Sequence, residues 1–184
     1  MLIANQKKKE NIAEYVLYMF QVETVIRGFK LNIEDVYNHY ICQMTSIEDA
    51  RQDVKQWYLE IIEEMKKNDL EEKGHIARVH ETMDEMTFLH NTLLTSLEDS
   101  EYQEIHTEAG PFIQELRDKS GSKAFSDIEI CLTGLFGKLT LKIQQKEISE
   151  ETSIAFESFT KLLATLSLRY KDFKSGNLKF QLNN

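Results

Sequence analysis

The sequence predicts an all-α protein, a single-domain bundle of about seven helices with its N-terminal helix near the centre. Three observations favour this fold class. The 184 residues include one proline and seven glycines, whereas average usage would give about nine prolines. Proline interrupts helix interiors because it lacks an amide hydrogen and clashes with the preceding turn. Apolar residues recur at helical spacing along most of the chain. The segments between these repeats are short, which is typical of antiparallel neighbours in a bundle.

One domain accommodates the whole chain. At 184 residues, a single core forms without a disulfide or a metal to hold it. The apolar fraction of 41% and the charged fraction of 29% are ordinary for a soluble globular protein. We expect residues 1–174 to form the helical domain. Residues 175–184 are predicted to be a tail, extended where Leu178, Phe180 and Leu182 alternate with polar residues.

The first predicted helix covers residues 5–29. Asn5 is its predicted N-cap and Gly28 lies near its end. The lysines at positions 7–9 would then lie in its first turn, where they oppose the helix dipole. Its apolar residues cover most of the helix circumference: Ile12, Tyr15, Val16, Tyr18, Met19, Phe20, Val22, Val25, Ile26 and Phe29. A helix that is apolar nearly all round is buried among other helices, so we expect this one at the centre of the bundle.

Three further helices are predicted before the proline. The second follows Asn32 and reaches about residue 43. The third begins at Ser46, with Asp49 at the capping-box spacing, and contains one clean apolar stripe. The fourth covers residues 70–97 and contains a second stripe.

The C-terminal half of the chain contains the other three predicted helices. The fifth includes Pro111, which should either kink it or divide it into two shorter helices. The sixth follows a capping box formed by Ser126 and Glu129. The seventh begins after Ser149 and ends at Lys174, where the apolar repeat stops.

Net charge and cysteine content bear on partners and compartment. The net charge of −9 would repel nucleic acid unless one face were strongly basic. No apolar run reaches the roughly 20 residues that span a bilayer, and the N-terminus has no apolar run of signal-peptide length. Cys42 and Cys131 form no disulfide framework. We therefore expect a cytoplasmic protein that binds neither nucleic acid nor membranes.

Two histidine motifs resemble metal sites without completing them. His80-Glu81 begins the zinc-protease pattern of two histidines one turn apart, but Asp84 stands where the second histidine is needed. Glu72 and His75 have the Glu-x-x-His spacing of dimetal bundles, which use the motif on two helices. The sequence has no second copy of that motif. We therefore expect no bound metal and no cofactor.

Polar residues on apolar helix faces form the candidate ligand site. His90 lies within the apolar stripe of the fourth helix. A core histidine bonded to a backbone carbonyl or a buried acid is the more common arrangement there, and a ligand or catalytic role is the alternative. Glu23 and Arg27 are four residues apart on the first helix, the spacing of an ion pair. With His75, these residues would make a four-residue ligand site.

The sixth predicted helix has two apolar faces. The first face consists of Ile128, Leu132, Leu135, Leu139 and Ile143. The second face, named the glycine seam, consists of Ile130, Gly134, Gly137 and Leu141. Glycine allows another chain segment to come close, so the seam is either packed inside the monomer or exposed as a subunit interface or ligand surface. We expect a self-association surface, most simply with twofold symmetry.

The sequence contains no catalytic motif. It has no nucleotide-binding glycine loop and no Gly-x-Ser-x-Gly nucleophile motif. The leading hypothesis is a non-enzymatic cytoplasmic interaction or scaffold protein that forms a homo-oligomer. The alternative is a small-ligand- or metal-binding bundle, enzymatic or not, with its site near Glu23, Arg27, His75 and His90.

Five segments carry a family resemblance: residues 6–27, 72–75, 89–94, 111–121 and the stretch from residue 128 onward. The first is the most specific, and together they span nearly the whole chain. They resemble a family of uncharacterised bacterial proteins known only as a domain of unknown function. The resemblance implies a single all-helical domain and brings no known activity, substrate or catalytic residue.

Overall fold

The described part of the chain is helical, as the sequence predicts. The computed structural model describes residues 2–44, 47–121 and 125–177, and no strand occurs within these ranges. The helices are α1 (Leu2–Glu10), α2 (Ile12–Gly28), α3 (Ile33–Val36), α4 (Cys42–Met44), α5 (Glu48–Lys67), α6 (Ala77–Thr95), α7 (Ser100–Ser120), α8 (Asp127–Ile143) and α9 (Glu150–Lys174). A π-helical turn, Tyr37–Ile41, joins α3 to α4. The prediction of a single-domain all-α bundle is confirmed. None of these helices is both long enough and apolar enough to cross a membrane.

α2 lies at the centre of the bundle, as predicted for the N-terminal apolar helix. It packs against α5, α6, α8 and α9. Its buried residues cover most of its circumference: Ile12, Ala13, Tyr15, Val16, Met19, Phe20, Val22, Glu23 and Ile26. Because these side chains point in several directions, α2 holds the surrounding helices together, and the only charged member of the set, Glu23, is enclosed with them.

The predicted first helix is divided into two, which corrects its expected start at Asn5. Asn5 lies inside α1, and the backbone of Asn11 is extended, with φ −152° and ψ 106°. The Asn11 side chain accepts a hydrogen bond from the Glu14 amide and is therefore the N-cap of α2. The lysines at positions 7–9 consequently lie in the last turn of α1, where the helix dipole favours cations.

The predicted fourth helix begins later than expected. A start at residue 70 is wrong, because α6 begins at Ala77 and residues 68–76 connect it to α5 without a helix. Asp69 and Gly74 have left-handed backbone conformations, with φ of 55° and 88°, and such residues end regular α-helical hydrogen bonding. This connector is held by side chains of α2.

The other helix starts in the C-terminal half agree with the sequence. Ser126 and Glu129 form the capping box of α8, and the Ser149 side chain accepts from the Thr152 amide at the start of α9. Pro111 lies inside α7, which continues through it as one helix. The fifth predicted helix is therefore not divided at its proline.

Two sequence predictions involve residues outside the described ranges. The predicted helix start at Ser46 is one, although α5 begins close by at Glu48. The other is the extended tail. α9 ends at Lys174, while residues 178–184 are outside the described part, so the predicted boundary between domain and tail stays a prediction.

The hydrophobic core is one cluster that reaches from α1 to α9. Its largest fully buried side chains are Ile12, Met19, Ile26, Ile41, Tyr58, Ile61, Ile62, Met65, Ile76, Met86, Tyr102 and Phe159. Two of them carry a phenolic hydroxyl, and that of Tyr102 takes part in the histidine cluster described below.

Candidate functional site

The connector between α5 and α6 is held in place by two side chains of α2. Glu23 is fully buried. Its carboxylate accepts a hydrogen bond from the Ile76 amide at 3.0 Å and another from Nδ1 of His75 at 2.5 Å. Arg27 donates to the Leu70 carbonyl at 3.1 Å and to the Gly74 carbonyl at 2.5 Å. Both ends of the connector are therefore fixed to the central helix.

The contacts of Glu23 and Arg27 differ from the expected ion pair between them. Each binds connector groups, and because Ile76 is the N-cap of α6, the Glu23 carboxylate lies where the helix dipole favours a negative charge. His75 stacks on Phe20, with ring centroids 4.1 Å apart. These contacts support a structural role. The predicted ligand-binding role of Glu23, Arg27 and His75 remains untested.

His90 belongs to a different group of side chains, which we call the histidine cluster: His90 on α6, Tyr102 and His106 on α7, and Asp127 at the start of α8. Nε2 of His106 donates to Oδ2 of Asp127 at 2.7 Å. Nε2 of His90 lies 3.9 Å from the same oxygen, and its Nδ1 is hydrogen-bonded to the Tyr102 hydroxyl at 2.8 Å. The two imidazole rings are 5.0 Å apart between centroids. Three helices thus place two imidazoles against one carboxylate.

Neighbouring groups fix the position of Asp127. It is the first residue of α8, directly after the Ser126 cap, and the Ser126 hydroxyl is 3.1 Å from the hydroxyl of Thr87 on α6. Arg117 of α7 donates to Oδ1 of Asp127. Because Arg117 holds Oδ1, Oδ2 remains directed at the histidines.

The electrostatics of the cluster favour an ionised carboxylate beside a neutral imidazole. The hydrogen bond from His106, together with Arg117, lowers the pKa of Asp127 to about 2 despite the opposing effect of burial. Burial and the nearby His106 lower the pKa of His90 to about 4, although the Asp127 charge acts in the opposite direction. Burial also raises the pKa of the Tyr102 hydroxyl, so this group stays protonated.

The sequence placed His90 in the core but did not identify its partners. The expected partner was a backbone carbonyl or a buried acid, and the observed one is a phenol. His106 and Asp127 are 21 residues apart, so no local spacing connects them. The one sequence signal is on α7, where Tyr102 and His106 are four residues apart and therefore face the same way.

A largely apolar groove between α7, α8 and α9 borders the glycine seam. It has a volume of about 500 Å³. Its lining includes Phe112 and Leu116 of α7, Gly137 and Leu141 of α8, and Phe156 of α9. Each of the three helices thus contributes apolar residues to the groove, and α7 and α9 also contribute the charged residues Glu115, Lys119 and Glu151.

The glycine seam is partly internal and partly open. Ile130 is 1% exposed, and a Cβ atom on Gly134 would lie within 3.1 Å of the Phe159 ring. A Cβ on Gly137 would have no heavy atom within 4 Å, and Leu141 is only half-buried. The N-terminal part of the seam is therefore monomer packing, and its C-terminal part faces the groove.

Comparison with known proteins identifies a family without an assigned activity. A family model described as a domain of unknown function (DUF4924) matches residues 1–177. No curated protein and no solved structure gives a significant match. Since the match covers nearly the whole chain, the chain belongs to this family, as the resemblance predicted.

Proposed function

We propose that this DUF4924 family member is a non-enzymatic interaction protein that self-associates through the C-terminal half of α8. The observation that carries the proposal is the change in burial along that helix. Both of its apolar faces are buried near its start, at Ile128 and Ile130. Further along, Leu139 and Leu141 are half-buried and Ile143 is 79% exposed. Contiguous exposed apolar surface marks interaction sites in soluble proteins.

A second copy of the chain is the partner that the shape of this surface favours. Gly137 and Leu141 line the groove. Leu139 and Ile143 lie on the other apolar face of α8, roughly 200° round the helix from Gly137 and Leu141, so the C-terminal end of α8 is apolar on that side too. A second copy can cover this apolar end of α8, including its groove, with the same end of its own α8 about a twofold axis. This is the geometry of an isologous dimer.

Charges around the groove are compatible with pairing of like chains. Glu115 and Lys119 of α7 form an ion pair beside it, and Glu151 of α9 lies on the opposite wall. Because both signs of charge occur there, two copies can bring opposite charges together across the interface, even though each chain has a net charge of −9.

A cytoplasmic location completes the proposal. Cys42 and Cys131 are both free thiols, and Cys131 is buried. Unpaired cysteines are typical of proteins kept in a reducing compartment.

Sedimentation velocity of the full chain over a range of concentrations tests the proposal. The wild-type protein is expected to form a dimer. Ile143→Asp, which places a charge at the exposed apolar end of α8, and Gly137→Leu, which fills the groove, are expected to shift the equilibrium to monomers that remain helical by circular dichroism.

Two matched variants serve as controls. Leu168→Asp introduces the same charge at an apolar residue of α9 that is 61% exposed and not part of the groove. Gly110→Leu introduces the same side chain at a helical glycine with open space around it. Both should remain dimeric. A wild-type protein that stays monomeric at high concentration, or equal effects of the test and control variants, would contradict the proposal.

A further inference from the structure

We propose that His90, His106 and Asp127 bind one late first-row divalent metal ion, with Zn²⁺ as the reference ion. The ligand atoms would be Nε2 of each histidine and Oδ2 of the aspartate. One potential ligand atom from each of the three residues lies within 4.8 Å of the other two. Among the described residues, this is the one group of three such side chains that meets this criterion.

The distances within the cluster suit coordination by one ion. Zn²⁺ binds histidine nitrogen and carboxylate oxygen at about 2.0–2.2 Å, which separates two tetrahedral ligands by roughly 3.4 Å. The two distances from Asp127 Oδ2, 2.7 Å to His106 and 3.9 Å to His90, lie on either side of that spacing. Small side-chain rotations would therefore be enough to enclose an ion, provided that the ring proton of His106 moves from Nε2 to Nδ1 so that Nε2 can coordinate.

The surroundings of the proposed ligands resemble those of metal sites in other proteins. Metal-binding histidines usually donate their second ring N–H to a neighbouring group, which fixes the ring orientation and tautomer. Nδ1 of His90 faces the Tyr102 hydroxyl at 2.8 Å, which leaves Nε2 free to coordinate. Arg117 binds the other oxygen of Asp127. Each of these two ligands is thus oriented by a group that does not itself coordinate the ion.

Charge and ligand type select the class of ion. Two imidazoles suit zinc, cobalt, nickel and copper, whereas Mg²⁺ and Ca²⁺ require mainly oxygen ligands. Arg117 offsets the single negative charge of Asp127, so the site offers little net charge to a hard cation. We therefore expect selectivity for Zn²⁺ over Mg²⁺ and Ca²⁺.

The site is also accessible from solvent. His90 is buried, but the side chains of His106 and Asp127 are 26% and 28% exposed. An ion can thus enter at His106, and with three protein ligands a fourth tetrahedral position remains for water, as in open zinc sites. The proposal concerns binding and does not depend on self-association through α8.

Titration of chelator-treated full-length protein with Zn²⁺ by isothermal calorimetry tests the proposal. One ion per chain is expected to bind, and Mg²⁺ should give no saturable heat. His106→Gln removes a ligand and should weaken Zn²⁺ binding by about 100-fold or more. Loss of a group that only hydrogen-bonds to a ligand, here called an outer partner, already weakens binding by about 10–100-fold. Tyr102→Phe removes such an outer partner of His90 and should weaken binding by about 10-fold.

A matched variant and a spectroscopic measurement distinguish binding at the histidine cluster from binding elsewhere on the chain. His80→Gln replaces an exposed histidine outside the cluster, whose ring is 5.7 Å from that of His75, and it should bind Zn²⁺ as the wild type does. Co²⁺ bound to the wild-type protein should show visible d–d absorption that disappears on addition of Zn²⁺. The absence of saturable Zn²⁺ binding, or a loss in His80→Gln as large as in His106→Gln, would overturn the proposal. The absence of this absorption in the wild type would also contradict the proposed ligands, and that measurement does not depend on the folding of any variant.

Discussion

Replacing Gly134 by alanine is expected to destabilise the protein by about 0–2 kcal/mol, whereas replacing Gly137 should stabilise it by about 0.5–1 kcal/mol. The two residues lie less than one turn apart on α8, within the same predicted seam. Their opposite responses follow from what surrounds each one, since the change in helix propensity is the same at both positions.

The magnitudes follow from the space at each glycine. At Gly134, an added methyl carbon would lie 2.9 Å from Cε2 of Phe159 and 3.0 Å from Cδ2 of Leu116. Overpacking of this kind costs about 1–3 kcal/mol, and the gain in helix propensity offsets about 1 kcal/mol of it. At Gly137 no heavy atom lies within 4 Å of an added methyl carbon, so only the gain in helix propensity remains. The two variants should therefore differ by about 1–3 kcal/mol.

Urea denaturation of both variants and of the wild type, in dilute protein solution, measures these changes. The midpoints should move in opposite directions while the denaturant slope stays constant, since the slope reports the surface exposed on unfolding. Equal shifts of the two midpoints would refute the close contact of α8 with α9 at Phe159. A Gly137→Ala variant that is strongly destabilised would show that the groove is closed in solution.

Two further predictions concern the core and one helix cap. Leu93→Ala, at a fully buried residue of α6, should lower the free energy of unfolding by about 2–5 kcal/mol. The control Leu168→Ala, at an exposed residue, should change it by about 0.5 kcal/mol or less. An unchanged urea midpoint for Leu93→Ala would contradict its placement in the core. Asp99 caps α7 through the Tyr102 amide and binds Arg169. Burial alone would raise the pKa of Asp99, but the hydrogen bonds from Arg169 and Tyr102 outweigh it and lower the pKa below its ordinary value of 3.8. The ionised carboxylate therefore stabilises the fold above that pH, and the contribution is lost as the pH falls through the lower folded-state pKa. Asp99→Asn, which can still cap the helix, should lose less stability between pH 5 and pH 3 than the wild type, and equal losses would contradict this assignment.

Helix ends were predictable where a nearby side chain binds the first free amides. Ser126 and Ser149 each accept from an amide three residues later, so their role is visible in the local sequence. Asn11 acts in the same way, but apolar residues continue on both sides of it, and periodicity alone conceals the break between α1 and α2. The late start of α6 has a different cause, because Arg27 binds the Leu70 carbonyl from 43 residues away. No local pattern records that contact.

The same distinction applies along α8. Helical periodicity identifies which residues share a face, and it grouped Gly134 with Gly137 correctly. It contains no information on where the covering helices end. Phe159 and Leu116 pack against Gly134, whereas no side chain of the described residues packs against Gly137, where the groove is open. The predicted interface is therefore partly monomer packing, and the proposed self-association rests on its open C-terminal portion.

The histidine cluster shows why a search by sequence spacing does not find a site shared by three helices. Motif spacing detects ligands that lie on one helix, and on that basis the chain lacks a metal site. His90, His106 and Asp127 come from α6, α7 and α8, so their proximity depends on how far each helix is shifted along its neighbours. Two of those shifts are fixed by groups that would not coordinate the ion, namely Tyr102, which is hydrogen-bonded to His90, and the Thr87–Ser126 contact that places the start of α8 beside α6. Such contacts hold the ligand atoms close together before any ion arrives, which reduces the ordering that binding would otherwise require.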